Sequence, residues 1–306
     1  MTCLLERKLG EAEMAKLPDN EKKHMTTILF GGCMGHKDLN AFKYGVAAMN
    51  TAWPADARPV LLANKANSAT IELGQNPADS DAVRQAVDAS SFGGVKLASL
   101  AGALFRHKND ITGYQEIHRY FMEKRKEEDY GIKTCTRFPD TSNTRYQSHS
   151  YAVAELMTFQ ALYIELMQEV IDGKTKSGEE NHMEKNVLKG LQCRRTQAEM
   201  AAIALYGVSV SWPYLSIARG SGNQGPGTVL NLLDTTDLHR RIVPFCRHIA
   251  NNPRILLDPD SDLSMITLDG QEYRDPLLIE ALRKTVPELD NLDAMIQAMF
   301  NGAADG

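Results

Sequence analysis

Cys33 and His36 stand three residues apart in Cys33-Met34-Gly35-His36-Lys37-Asp38-Leu39-Asn40, just after the short apolar run Thr26–Phe30. A thiol and an imidazole on a turn between a strand and a helix can point the same way and share a metal or a hydrogen-bond network. Zinc usually takes four ligands, and no second pair with metal-like spacing follows, so the identity of any metal stays unknown. The alternative is structural: a buried cysteine, and a histidine that helps cap the following helix. Thr196-Gln197-Ala198-Glu199 is the second candidate. It has the form of a capping box, in which the threonine accepts from the third amide of the helix and the glutamate reaches back to the cap. Glu199 is therefore either a capping residue or a catalytic acid. The third is the polar loop Phe138–Tyr146, whose Arg145, or nearby Lys133 and Arg137, could hold a phosphate while its Asp140, Ser142 and Asn143 form turns and cap the following helix.

The elements that must position these residues are mostly helical. Residues 2 to 24 read as a charged amphipathic helix interrupted near Pro18, and Thr26–Phe30 is the best strand candidate. A helix follows from about Asp38, with Leu39, Phe42, Val46 and Met49 on one face, and stops before Pro54. Pro59–Ala63 is a second possible strand, followed by connections through Ser80. Helical patterns then cover about 80–90, 93–106, 110–129 and, most strongly, Tyr146–Ile171. Others fall near 179–192, 196–209, 235–250, 275–285 and 288–300. The expected fold is mainly α, a helical bundle with a small β remnant near the N-terminus. The expected organisation is a charged N-terminal helix (1–24), a helical core (25–250) and an acidic helical appendage (251–306).

Residues 251 to 306 carry four basic and eleven acidic side chains, whereas the first 250 carry 30 and 28. The locally basic stretches are Arg106 to Lys108, Lys124 to Lys126, and Lys174 to Arg195 with six basic and three acidic residues. Either these are solvated helix faces or they meet phosphates. Five dispersed cysteines without a CxxC pair suit a reducing compartment, cytosol or nucleus. No stretch reads as the roughly 18 apolar residues of a spanning helix, so no membrane is expected. Standard phosphate loops, dinucleotide fingerprints, zinc-finger spacings and nucleophile elbows are missing from the sequence.

The succession Gly32–Asn40, Leu62–Lys65, Leu100–Phe105 and Phe138–Asn143, continued by Asn181–Val187, Ala204–Tyr206, Ser211–Tyr214 and Asn231–Asp234, resembles a multicopy family of transposon-encoded proteins in basidiomycete genomes. The resemblance covers roughly residues 28 to 302. Many eukaryotic cut-and-paste transposases with a ribonuclease H-like core carry a Cys-x-x-His element after their second catalytic aspartate, and Cys33 and His36 match it. By that resemblance the helical bulk is the insertion, and Glu199 is a candidate for the final metal-binding acid. Three carboxylates hold two metal ions in such enzymes. The strands bearing the first two would lie upstream of residue 25, where only a charged helix is found.

The resemblance thus implies a truncated or re-used piece of a transposase without independent catalysis. A divalent metal would be its cofactor only if another chain completed the site, and its partners would be DNA or another transposase subunit. A helical DNA- or protein-interaction module and a recruited small-molecule enzyme of unknown substrate stand as alternatives. A terpene-synthase reading lacks its Asp-rich motif, since Asn109-Asp110 and Glu116 are out of register.

Overall fold

Proline and glycine positions divide the helices much as the sequence pattern suggests. A computed structural model describes residues 10–26, 32–74, 80–106, 114–134, 137–142, 147–174, 181–219, 235–285, 287 and 289–306. The chain forms two units, Met1–Cys33 and Met34–Gly306. In the first, α1 (Glu11–Lys16) and α2 (Asp19–Thr26) are separated at Leu17-Pro18, since proline lacks the N–H and the torsional freedom to continue a helix. Thr26 ends α2, and the rest of the strand candidate Thr26–Phe30 lies outside the described residues.

The second unit contains α3 (Met34–Ala52), α4 (Lys65–Leu73), α5 (Ser80–Asp88), α6 (Gly93–Phe105), α7 (Gln115–Tyr130), α8 (Ser148–Thr158), α9 (Gln160–Asp172), α10 (His182–Gln192) and α11 (Arg194–Tyr206). Then come a π-turn (Gly207–Ser211), α12 (Trp212–Ala218), α13 (Thr236–Asn251), a 3-10 turn (Pro253–Leu256), α14 (Leu263–Ile266), α15 (Pro276–Thr285) and α16 (Leu292–Asp305). The protein is mainly α, and among the described residues there is no strand. Pro59–Ala63, expected as one, makes only a single antiparallel bridge, Leu61 to Phe92. The following stretch, expected as a connection, contains α4, capped by Asn64, whose side chain accepts from the Asn67 N–H at 2.8 Å.

Helix α11 is central. Every residue from Thr196 to Tyr206 is buried, and the helix packs on α6, α8, α10 and α16. The long pattern Tyr146–Ile171 is two helices, because Phe159 leaves the helical region (φ −118, ψ 31) between α8 and α9. Residues 251 to 306 do not form an appendage. Leu256, Leu278, Leu282, Met299 and Phe300 are fully buried in the core of the second unit, and α16 lies along α3. Gly45 and Gly302 make this approach possible: a Cβ at Gly302 would lie 2.6 Å from the Tyr44 carbonyl oxygen. Exposed acids such as Asp260, Glu272 and Glu280 share this segment with those core residues, so net charge gave the wrong organisation.

The helix from α11 through α12, Arg194–Ala218, spans 25 residues and is long and apolar enough to cross a membrane, contrary to the expectation from the sequence. Its apolar face is used within the protein, where 89% of the qualifying window is buried.

Candidate functional site

Glu199 is a helix cap, but for a different helix from the one its sequence suggested. The helix starts at Arg194, so Thr196 lies inside the first turn and cannot serve as its N-cap. The Glu199 side chain crosses instead to the start of α6, where Oε2 accepts from the Gly94 N–H at 2.9 Å and Oε1 accepts from the Trp53 indole at 2.6 Å. Amides at a helix N-terminus lack intrahelical partners and carry a positive dipole end, which suits a carboxylate. Burial raises the Glu199 pKa, against the pull of the Gly94 and Trp53 donors. Gly93 fits this contact, with φ +84 and no room for a side chain: a Cβ would lie 2.0 Å from Glu199 Oε2. The true capping box lies at Asn181, where Asn181 accepts from Met183 N–H and Glu184 accepts from Asn181 N–H.

Cys33 and His36 are both exposed, so the expected buried cysteine is corrected; Cys33 lies in the first unit and His36 in the first turn of α3. Lys133 and Arg137 are exposed, and Arg145 lies outside the described residues. Among the described residues no group of three His, Cys, Asp or Glu side chains is placed to hold a metal ion.

A polar cluster that the sequence did not single out surrounds the π-turn. Pro213 has no N–H for the Ser209 carbonyl, and its ring crowds that oxygen, so the helix widens here. The carbonyls are satisfied from elsewhere: Leu268 N–H donates to Ser209 O at 2.8 Å and Gln147 Nε2 to Ser211 O at 2.7 Å. Gln147 adopts a left-handed conformation (φ 63) to present that amide. Asp38, Phe42, Ser148, His149 and Ser211 line the small cavity beside it. His149 Nε2 is 3.1 Å from Ser99 Oγ, its Nδ1 is 3.3 Å from Ser148 Oγ, and its ring stacks on Phe42. Burial lowers the His149 pKa. No known protein family, curated protein or solved structure matches the chain.

Asp38 gives this cluster a pH dependence. Burial pushes its carboxyl up to about 7, although a hydrogen bond from Ser211 and the charge of Arg219 pull it back. A carboxyl whose folded pKa is raised stabilises the fold most below its unfolded value, and that contribution is lost as pH rises through the folded one. The loss falls between the ordinary aspartate value of 3.8 and about 7. Asp38→Asn abolishes this ionisation, so its stability relative to wild type is expected to rise by on the order of 4 kcal/mol between pH 4 and 8. Urea denaturation across that range checks it, and a constant difference would contradict it. His118, lowered to about 4 by burial and by Lys126, acts oppositely, losing its contribution as pH falls below 6.5. In wild type the two contributions oppose each other, and the Asn variant removes that of Asp38.

A basic ridge lies where α10 meets α11. Residues 185 to 195 contain four cations and no acid. Lys185 and Lys189, one turn apart, are exposed on α10, and Arg194 and Arg195 follow across the junction at Cys193. Arg195 donates to the Arg58 carbonyl at 3.2 Å, which sets the exposed Arg58 segment beside them. The preceding acid, Glu184, is fully buried and engaged by Tyr114 and by Lys174 Nζ at 2.8 Å, so it does not offset the surface charge.

Proposed function

We propose that this chain is a transposase-like helical module that contacts DNA through the ridge Lys185, Lys189, Arg194 and Arg195, and that it holds no strand-cutting centre of its own. The observation that carries the first part is the exposure of four cations within residues 185 to 195, a stretch that contains no acid and follows a buried Glu184. Such a surface attracts phosphates and releases their counterions. The second part is supported by Glu199. The acid that the resemblance would assign to metal binding has both oxygens occupied by structural donors and is 2% exposed. The resemblance to transposon-encoded proteins supplies the partner class.

Replacing all four ridge cations with glutamine is expected to weaken binding to a short duplex about a hundredfold at low salt, and to leave the thermal melt unchanged because the side chains are exposed. Fluorescence anisotropy measures the first and circular dichroism the second. Unchanged affinity would refute the ridge. A plasmid nicked by the purified protein with magnesium or manganese would refute the absence of a cutting centre.

A further inference from the structure

The helix that begins at the ridge ends at a second surface. Trp212 is buried at the start of α12, with its indole N–H donating to Ser150 Oγ at 3.0 Å. The Tyr151 ring lies flat on it, 4.4 Å between centroids and 10° between planes. That contact covers one face of Tyr151, and the residue remains 43% exposed. Two arginines flank it. Arg219 is exposed just beyond the end of α12, and Arg274 donates to the Trp212 carbonyl at 3.0 Å while pairing with Asp269. Burial raises the Tyr151 pKa, against the pull of the Arg219 and Arg274 charges beside it. Asp269, paired with Arg274, and the buried Asp38 offset part of this charge.

A partly exposed aromatic ring braced by a second ring, with guanidinium groups at its edge, matches what an unpaired nucleotide requires. The base stacks on the ring and the phosphate meets a cation, whatever the base. A duplex offers no free base face, so this chemistry selects single strands. We propose that Tyr151, backed by Trp212 and flanked by Arg219 and Arg274, is a stacking platform for an unpaired nucleobase. The proposal takes only its partner class, nucleic acid, from the reading above. Trp212 follows Arg194 by 18 residues along one helix, which places the platform about 27 Å from the ridge at the ordinary helical rise. A strand rising ~3.4 Å per nucleotide covers that distance in about eight. One molecule can therefore hold a duplex at the ridge and the unpaired strand beyond it at Tyr151.

The test is fluorescence anisotropy with labelled strands of about 12 nucleotides, in DNA and RNA versions, beside a duplex of equal length and an abasic strand. Tyr151→Ala is expected to weaken single-strand binding roughly tenfold while changing duplex binding less than about twofold. Tyr151→Phe should bind like wild type, because stacking needs the ring and not the hydroxyl, and Arg219→Gln should weaken single strands several-fold. DNA and RNA strands should bind alike, since a base presents its face in both, and loss on either strand upon Tyr151→Ala supports the platform. An abasic strand that binds as tightly as the base-bearing one would overturn it, as would wild-type single-strand affinity in a folded Tyr151→Ala. Loss confined to the ridge variant leaves the DNA-contact reading standing and removes the platform alone. If wild type binds neither strand nor duplex, both fail.

Discussion

Glu199→Ala is expected to lower the stability of the protein by about 4 kcal/mol. Two hydrogen bonds to a carboxylate disappear, and the Trp53 indole N–H and the Gly94 amide are left buried without their acceptor. Each such loss costs roughly 1.5–3 kcal/mol. The carboxylate also ties three separate places in the chain, the end of α3, the start of α6 and the middle of the central helix α11. Its removal is therefore felt across the core. Glu199→Gln should recover less than half of the loss, because an amide has one acceptor oxygen and turns its NH2 group toward the second donor. Chemical denaturation with intrinsic fluorescence checks both variants, since Trp53 is one of only two tryptophans and reports directly on the contact. A Glu199→Ala protein as stable as wild type would contradict the capping role and return the residue to a catalytic one.

Glu155→Ala should cost about 3–5 kcal/mol by a different route. Lys126 is 4% exposed, with its ammonium 3.8 Å from the centre of the Phe159 ring and 2.6 Å from Glu155 Oε1. The same carboxylate oxygen accepts from Tyr163 at 2.9 Å, and the Tyr163 hydroxyl lies 3.0 Å from His118 Nε2. Without Glu155 the ammonium is buried and unpaired, which is dearer than never having had the pair. Glu155→Ala combined with Lys126→Met should recover most of the stability at neutral pH, since it removes the stranded charge and keeps an apolar stem on Phe159. Denaturation of the single and double variants at neutral pH separates these outcomes. Equal losses in both variants would show that the ion pair is not the source.

The helical character and most helix positions were legible because apolar residues recur at helical spacing, as in Gly93–Phe105 and His182–Gln192. The break at Phe159 was not, since apolar residues continue through it and only the backbone turns. The π-turn carried one signal, Pro213 within an apolar stretch, which marks a place where a carbonyl loses its donor. Glu199 shows a subtler difficulty. Thr-Gln-Ala-Glu satisfies the local rule for a cap, but α11 begins two residues earlier, and the carboxylate satisfies a helix start 105 residues away. Local spacing identified the kind of work that Glu199 does and could not identify its partner. The acidity of residues 251 to 306 misled because a sum of charges ignores which side of a helix carries them, and Met295, Ile296, Met299 and Phe300 lie on the buried side. The ridge was visible as a basic stretch from Lys174 to Arg195. What the sequence could not show was that Glu184 turns inward and Lys185, Lys189, Arg194 and Arg195 turn outward.

The central claim, that this outward-facing ridge contacts DNA, is tested most directly by the salt dependence of duplex binding. Each phosphate neutralised contributes about −0.9 to the slope of log affinity against log salt, so four ridge contacts give a slope near −4. The wild-type protein is expected to show that slope, and the variant with Lys185, Lys189, Arg194 and Arg195 replaced by glutamine is expected to show a slope near zero. Equal slopes for the two proteins would contradict the account.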